Sequence, residues 1–258
     1  MTYNIRHGGV DDDLTQRLPS IHEVVAAARP DVLAIQEANE FELRDHRRLY
    51  EFERAVGMRG FLGLSPSGYH GALFLRAPLQ PRLLRLPTLT TRPIIELSFH
   101  ADRIGPIAVA ACHFDPADPT LRLSSALWVV SPPPAILLGD LNNCRGDDPG
   151  AADAFERFSP LHRARQARGA IDDRLFDVLE KAGYVDLYRR FHPSELGTTM
   201  TAAGGVRLDY IFATGDLADL AVSCDVVRTP EVEGISDHYP VVADFDFDVS
   251  GPASGSAQ

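Results

Sequence analysis

The sequence has few cysteines, no excess of basic residues and no long apolar run. Its three cysteines lack metal-ligand spacing, which indicates free thiols in a reducing compartment. A formal net charge of −11 at pH 7 argues against a protein that holds nucleic acid through a broad basic face. No apolar segment approaches the roughly 20 residues of a membrane-spanning helix, and the start lacks the basic and apolar blocks of a signal peptide. We therefore expect a cytoplasmic protein without a transmembrane segment.

The composition is that of a folded globular chain. Of the 258 residues, 45% are hydrophobic and 24% are charged, which is enough apolar material for a sizeable core. The last residues, G-P-A-S-G-S-A-Q, are small and polar. We predict one domain over residues 1–247 and a flexible tail over residues 248–258.

The apolar segment 135–143 is the most informative stretch, because it ends abruptly in Gly139, Asp140, Asn142 and Asn143. Its first residues are too few and too apolar for anything but a strand buried on both faces. The carboxyl ends of such strands are where α/β folds assemble sites. An Asp-Asn turn that only closes the strand is the alternative. Taken alone, the stretch leaves both interpretations open.

Apolar periodicity predicts helices and strands along the rest of the chain. Helices are predicted at 18–28, 40–56, 120–130 and 173–182. Strands are predicted at 2–5, 31–37, 59–64, 69–75, 80–86, 93–99, 104–113, 205–213, 221–228 and 239–247. Residues 145–174 show no clear apolar period. We therefore predict a long excursion, an irregular segment between two strands, with one or two helical turns.

Polar residues recur at the ends of the predicted strands. These residues are Asn4, Glu37, His113, Asp140 with Asn142, Asp209, and Asp237 with His238. A turn explains one such ending. Six endings that carry carboxylates, carboxamides and histidines indicate a common edge where strand ends converge. The pattern favours an active site over a set of unrelated turns.

Six short motifs around these residues occur in a characteristic order. They are T-Y-N-I, A-I-Q-E, C-H-F-D-P, L-L-G-D-L-N, R-L-D-Y-I-F and I-S-D-H-Y-P. In this combination the chain resembles the endonuclease/exonuclease/phosphatase superfamily, the metal-dependent fold shared by DNase I-like nucleases, inositol polyphosphate phosphatases and sphingomyelinases. The resemblance runs from Thr2 to about Phe247. It implies an α/β fold, a four-layer αββα sandwich in which two mostly antiparallel β-sheets pack face to face with helices outside.

The resemblance implies a metal site at Asn4, Glu37 and Asp237. Glu37 would be the principal ligand of Mg²⁺, for which Mn²⁺ is the alternative ion. Such a hard ion accepts one or two carboxylates and keeps several waters, which leaves room for phosphate oxygens. A carboxylate at a helix N-terminus is the alternative for Glu37, and a side chain that caps a turn is the alternative for Asn4.

The resemblance also implies catalytic roles. Asp140 would polarise the attacking water, and Asn142 would donate hydrogen bonds to that water or to the phosphate. His238 would stabilise negative charge opposite the metal, and Asp209 would hold its ring in one tautomer and favour the imidazolium. His113 would donate a hydrogen bond or a proton to the leaving oxygen, unless it is a buried structural histidine. The abasic-site nuclease branch typically carries tyrosine at this position, which disfavours a base-excision nuclease.

Several other polar residues have two interpretations. Arg207 would either brace the site by ion pairing or lie as a charge on a strand surface. An arginine cluster in the excursion would either bind an anionic substrate or form a solvated helix face. His7 and His70 are further candidates for the cleft, and Asn143 is expected to be a turn residue. The members of the cluster are Arg157, Arg163, Arg165 and Arg168.

The sequence therefore predicts a Mg²⁺-dependent phosphoesterase that hydrolyses a phosphodiester or phosphomonoester by in-line attack of an activated water. A small or lipid-derived phosphate ester is favoured as the substrate, and a DNase I-like endonuclease acting on DNA or RNA is the alternative. A non-catalytic binding module with the same fold is disfavoured, because the matched catalytic positions are intact. We expect a monomer.

Overall fold

The structure is a computed structural model that describes residues 1–11, 16–85, 91–102, 104–130, 135–167, 170–194 and 205–247. The predicted flexible tail at 248–258 and Arg168 of the arginine cluster lie outside the described residues. Within these ranges, no helix combines the length and the apolar character needed to cross a membrane.

The described part of the chain contains twelve strands in two sheets of six. The strands are β1 (Thr2–Asn4), β2 (Val32–Gln36), β3 (Arg59–Gly63), β4 (Gly71–Leu75), β5 (Arg82–Arg85), β6 (Ile94–Ala101), β7 (Gly105–His113), β8 (Ala135–Asp140), β9 (Tyr184–Asp186), β10 (Asp209–Thr214), β11 (Ala221–Val226) and β12 (Val241–Phe245). The first sheet has the order β11-β12-β1-β2-β4-β3, and the second has the order β5-β6-β7-β8-β10-β9. Neighbours are parallel in the pairs β1–β2 and β7–β8, and antiparallel in the other pairs of described strands.

The helices of the described residues lie mainly between strands of the same sheet. They are α1 (Arg6–Gly9), α2 (Leu18–Ala28), α3 (Leu43–Val56), α4 (Pro119–Val129), α5 (Ala151–Arg157), α6 (Pro160–Ala167), α7 (Arg174–Lys181), α8 (Leu187–Phe191) and α9 (Gly215–Ala218). Proline in the first turn starts both α2 and α4, where its missing N–H costs no hydrogen bond. The Asp118 side chain caps α4 by accepting a hydrogen bond from Thr120 N at 2.7 Å.

Side-chain alternation along β8 shows why the chain folds into four layers. Ile136 and Leu138 belong to the core between the two sheets, whereas Leu137 belongs to a core that helices α4 and α7 cover. On the first sheet, Leu33 of β2 packs in the same way under α2 and α3. Burying each such side chain contributes about 1.5–3 kcal/mol. The predicted four-layer sandwich is confirmed.

The excursion after β8 contains more regular structure than the predicted one or two helical turns. Helices α5 and α6 occupy much of it, but α5 buries only Ala151, Ala154 and Phe155. In α6, Leu161 is 61% exposed. Helices this short, with so little apolar surface to bury, leave no clear 3.6-residue period in the sequence. This explains why periodicity did not predict them.

Candidate active site

Strand register in the second sheet places three of the predicted site residues side by side. In the parallel pair β7–β8, His113 lies opposite Asp140. In the antiparallel pair β8–β10, Asp209 lies opposite the same Asp140. Asp140 is therefore the central residue of this edge of the sheet.

Gly139 makes this register possible. Its φ is +151°, and a Cβ at this position would lie 1.9 Å from the carbonyl oxygen of Cys112 on β7. Any side chain would collide with that backbone, because real Cβ contacts are far longer. The glycine of the L-L-G-D motif thus lets β7 and β8 approach directly beside Asp140.

Both carboxylate oxygens of Asp140 are held in place. Oδ1 accepts a hydrogen bond from the backbone N–H of Asn142 at 2.8 Å, and Oδ2 accepts one from Asn4 Nδ2 at 3.0 Å. Burial raises the pKa of Asp140 to about 7, and the negative charge of Asp209 acts in the same direction. Asp140 is therefore an oriented carboxylate with a basicity well above the ordinary value.

His238 is paired with Asp209 through one ring nitrogen and faces Asp140 with the other. Its Nδ1 lies 2.7 Å from Asp209 Oδ2, and its Nε2 lies 4.0 Å from Asp140 Oδ2. Burial alone lowers the pKa of His238, but Asp209, Asp140 and Asp237 outweigh burial and raise it to about 10. These three carboxylates favour the imidazolium form of the ring at neutral pH.

His113 also lies in the site, where its surroundings favour the neutral form of the ring. Its ring is buried, and Nε2 lies 3.8 Å from Asp140 Oδ2. Burial lowers the pKa of His113 well below its ordinary value, and the positive charges of Arg92 and His238 add to this effect. Its Nδ1 is buried without a hydrogen-bond partner among the described residues. A neutral imidazole in this place can donate a hydrogen bond but holds no extra proton.

Asn4 connects the two sheets at the site. It ends β1 in the first sheet, and its bond to Asp140 crosses to the second. Ser236 Oγ donates to the carbonyl oxygen of Asn4 at 2.8 Å and lies 3.4 Å from Asp237 Oδ1. The loop that carries Asp237 and His238 is thereby fixed to the end of β1.

Glu37 follows β2 in a strained backbone conformation. Its φ is +58°, and its Oε2 accepts a hydrogen bond from His7 N at 2.9 Å. Arg6 and His7 are also left-handed, with φ of 50° and 49°, and so is Asn142 with φ of 49°. These four are among nine left-handed non-glycine residues in the described chain, and such unfavourable conformations often occur at functional sites.

Two groups of residues have donor atoms suited to a metal ion. Asn4, Glu37 and Asp237 offer only oxygen donors. Asp140, Asp209 and His238 offer ligand atoms that all lie within 4.8 Å of one another.

Arg207 lies in a buried ion network behind the site. It is 2% exposed, and its guanidinium bonds both Asp148 and Asp186 at distances of 2.6–2.9 Å. These two residues belong to the loop after β8 and to the end of β9. Through Arg207, the network therefore joins both segments to the start of β10, where Asp209 lies. The interpretation of Arg207 as a strand-surface charge is wrong, and the interpretation as an ion-paired brace is confirmed in its geometry.

The arginine cluster lies partly beside the site. The carbonyl oxygen of Arg165 accepts a hydrogen bond from Arg122 Nη2, and Arg122 Nη1 bonds the carbonyl oxygen of Asp115, two residues after His113. The side chain of Arg165 is exposed, whereas Arg163 pairs with Glu156 at 2.8 Å.

The two extra histidines take different positions. The His7 ring is half-buried, with its centroid 6.0 Å from that of Tyr69. His70 is buried, and its Nδ1 accepts a hydrogen bond from Ser65 N at 2.9 Å. Its Nε2 lies 3.1 Å from a carboxylate oxygen of Glu42. His70 therefore supports the turn before β4.

Arg92 and Tyr69 are site residues that sequence reasoning missed. The guanidinium carbon of Arg92 lies 4.1 Å from the centroid of the Tyr69 ring. Glu37 and Asp140 are among the charges that act on Arg92. Arg92 immediately precedes the predicted strand 93–99, as Asp237 and His238 precede the predicted strand 239–247, but it belongs to none of the six motifs.

Comparison with known proteins agrees with this architecture. A family model described as Endonuclease/Exonuclease/phosphatase family matches residues 1–238, and the chain belongs to that family. No curated protein matches the sequence. Membership of this family supports a hydrolase of phosphate esters, a phosphoesterase or nuclease.

Solved structures share the fold at low sequence identity. The 3'-5' exonuclease NExo from Neisseria meningitidis has 20% identity and a TM-score of 0.66, with 95% of this chain and 98% of that chain covered. An AP endonuclease from Archaeoglobus fulgidus has 20% identity and a TM-score of 0.65 at the same coverage. The human Nocturnin catalytic domain, solved with a bound sulfate anion, has 19% identity and a TM-score of 0.56, with 95% and 92% covered.

Proposed function

We propose that this chain is a divalent-metal-dependent phosphoesterase that hydrolyses a phosphodiester or phosphomonoester by in-line attack of water. One observation carries the proposal. The buried carboxylate of Asp140 is held by Asn4 and by Asn142 N, and the cationic ring of His238 lies 4.0 Å away. A base fixed beside a cation can orient water while the cation balances charge on a phosphoryl group.

The residues of the chain divide the chemical work as follows. Asp140 orients the attacking water and accepts its proton. His238, kept charged by Asp209, donates a hydrogen bond to a nonbridging oxygen. His113 donates a hydrogen bond to the leaving oxygen as a neutral imidazole. The side-chain amide of Asn142, which in the free protein donates to the carbonyl oxygen of Phe114 at 3.0 Å, contacts the phosphate or the water when substrate binds.

We assign the metal to Asn4, Glu37 and Asp237. Oxygen donors suit a hard cation such as Mg²⁺ or Mn²⁺, which when bound polarises the phosphoryl oxygens. We favour this group over Asp140, Asp209 and His238, because the 2.7 Å hydrogen bond between His238 and Asp209 explains the closeness of that second group without an ion. His7 N contacts the Glu37 carboxylate, the Asn4 side chain bonds Asp140, and Ser236 Oγ contacts Asp237 Oδ1.

Hydrolysis assays test this proposal directly. Bis-p-nitrophenyl phosphate and p-nitrophenyl phosphate are incubated with the protein and Mg²⁺ or Mn²⁺, with EDTA as the metal-free control. We expect Asp140→Asn and His238→Gln each to lower activity at least ~100-fold. Glu37→Gln should raise the metal concentration needed for half-maximal activity. The matched control is His100→Gln. His100 is exposed and lies opposite Pro106 near the end of β6, whereas the start of β6 lies opposite Cys112, beside the site. Equal activity in the wild type and the two catalytic variants would contradict the mechanism.

A nuclease is the second candidate function. The neighbours named as an exonuclease and an AP endonuclease favour it. The exposed Arg165, beside the Asp115 segment, could contact a polynucleotide backbone. The acidic net charge and His113 favour the smaller ester. Nicking of plasmid DNA without cleavage of small esters would reverse this preference, and retention of that nicking in Arg165→Ala would remove the role of the cluster.

A further inference from the structure

Arg92 stands out among the arginines of the site because its guanidinium has no polar partner among the described residues. In the described part of the chain it makes no hydrogen bond and no ion pair, and its Nη1 is fully buried. By contrast, Arg207 bonds two carboxylates and Arg122 bonds two carbonyl oxygens and an amide oxygen. A half-buried arginine without partners is costly, since its donors have lost water and gained no acceptor.

The segment that carries Arg92 is held on both sides. Ser65 Oγ donates to the carbonyl oxygen of Thr91 at 2.8 Å, and Thr91 Oγ1 donates to Asp115 Oδ2 at 2.7 Å. On the other side of Arg92, the carbonyl oxygen of Pro93 accepts a hydrogen bond from His113 N at 3.2 Å. The backbone around Arg92 is thus fixed directly to the strand that ends in His113.

Tyr69 fixes the side chain as well. The guanidinium lies over its ring at 4.1 Å, a cation–π contact. Because Nη1 is the buried nitrogen, Nε and Nη2 are left as the accessible donors. The side chain is therefore oriented before any ligand binds, so that little conformational entropy is lost on binding.

The charges around Arg92 are those of the proposed reaction site. Carboxylates of Glu37, Asp115 and Asp140 act on the guanidinium, and its own charge acts on His113. None of these carboxylates makes an ion pair with it in the described structure, although all are close enough to interact electrostatically. Since none of the described residues offers the guanidinium a hydrogen-bond acceptor, its donors are available to a ligand in the site.

We propose that Arg92 is a substrate-binding residue that donates hydrogen bonds from Nε and Nη2 to nonbridging oxygens of the scissile phosphate, beside His113. This inference rests on the proposed phosphoesterase function. Arginine suits the task, because its planar fork matches two oxygens of one phosphate. The site would then contact the phosphate with two protein cations, Arg92 and His238, in addition to a metal.

The test compares Arg92→Gln and Arg92→Lys with the control Arg59→Gln. Arg59 also lies over an aromatic ring, Phe61, at 5.3 Å. Its cross-strand neighbour is Leu75, at the end of β4 that lies away from Gln36 and the site. The measurements are kcat and KM for bis-p-nitrophenyl phosphate, inhibition by inorganic phosphate, the Mg²⁺ concentration for half-maximal activity, and thermal stability. Both probes carry a single phosphate, so the assay reports contact with the scissile group.

We expect Arg92→Gln to lower kcat/KM by roughly 10- to 100-fold and to weaken phosphate inhibition by a similar factor, as for the loss of a charge-assisted hydrogen bond. Arg92→Lys should retain part of the activity, and thermal stability and the Mg²⁺ requirement should stay unchanged. If Arg92→Gln matches Arg59→Gln, the inference is wrong. A changed Mg²⁺ requirement with unchanged phosphate inhibition would also overturn it, since Arg92 would then act only as a counter-charge to Glu37. If the wild-type protein hydrolyses neither bis-p-nitrophenyl phosphate nor p-nitrophenyl phosphate, the result would instead count against the proposed function.

Discussion

Asp209 Oδ2 lies 2.7 Å from His238 Nδ1, and this contact fixes both the tautomer and the charge of the histidine. Because Nδ1 is occupied by Asp209, the opposite nitrogen, Nε2, faces Asp140 at 4.0 Å. The two residues belong to different sheets, since Asp209 starts β10 of the second sheet and His238 precedes β12 of the first. Their separation in the chain is large, so the contact forms only when the two sheets have packed.

The first prediction concerns the charge of His238. Replacing Asp209 with Asn removes the main group that raises the pKa of His238 to about 10. We expect the pKa to fall toward the ordinary value of about 6.5, so the alkaline loss of activity moves to lower pH. At pH 8, activity should fall by roughly 10²- to 10⁴-fold. The check is the pH dependence of kcat/KM, with exposed Asp219→Asn as the control. Superimposable pH profiles for Asp209→Asn and wild type would contradict the role of the pair.

The second prediction concerns Asp140 and the stability of the metal-free protein. Burial raises the folded-state pKa of Asp140 to about 7, above the ordinary value of an aspartate, about 3.9. The folded state therefore holds a proton that the unfolded state releases, and the associated stability is lost as pH rises from about 4 to about 7. Relative to Asp140→Asn, which cannot titrate there, the wild type should become progressively less stable over this interval. Urea unfolding of both proteins in EDTA measures the difference, and a difference independent of pH would refute the assignment.

Much of the site could be predicted because it depends on strand ends. A polar residue that ends a buried strand lies at an edge of the sheet, which could be predicted for His113 and Asp140. Asp209 instead starts β10, and it reaches the same edge because β10 is antiparallel to β8. Arg92 was missed because β6 is antiparallel to β7, with Ile94 opposite Cys112. The residue before β6 therefore lies at the same edge as the residue that ends β7. Strand direction, which composition and periodicity do not specify, was the missing information.

Residues that act through long-range contacts were harder to interpret. Asn143 was expected to be a turn residue, but it is 1% exposed and its Oδ1 accepts a hydrogen bond from Arg122 Nε at 2.9 Å. Its Nδ2 donates to the carbonyl oxygen of Asp172 at 2.8 Å. Both partners are more than twenty residues away in the chain. Local turn preferences contain no information about such partners, whereas the strands around them follow from local apolar patterns.

The third prediction concerns the buried ion network of Arg207. Arg207→Met leaves Asp148 and Asp186 buried without their shared cation, so we expect a loss of about 3–5 kcal/mol in the free energy of unfolding. The matched control is Arg163→Ala, whose partly exposed pair with Glu156 should contribute less than about 1 kcal/mol. Urea denaturation of the three proteins gives the comparison. A similar small loss in both variants would show that the network does not stabilise the fold.

The fourth prediction concerns Gly139, which allows β7 and β8 to meet beside Asp140. Gly139→Ala places a Cβ 1.9 Å from Cys112 O at a φ of +151°, so the strands must separate or the backbone must change conformation. We expect a loss of more than about 3 kcal/mol in the free energy of unfolding, together with loss of hydrolysis. Gly183→Ala is the matched control, because Gly183 also has a positive φ, +85°, but has no atom within 4 Å of the added carbon. Its cost should be about 1 kcal/mol, that of the backbone conformation alone. If the two substitutions destabilise the protein equally, the close approach at Cys112 is not what requires glycine, and the position of Asp140 does not depend on it.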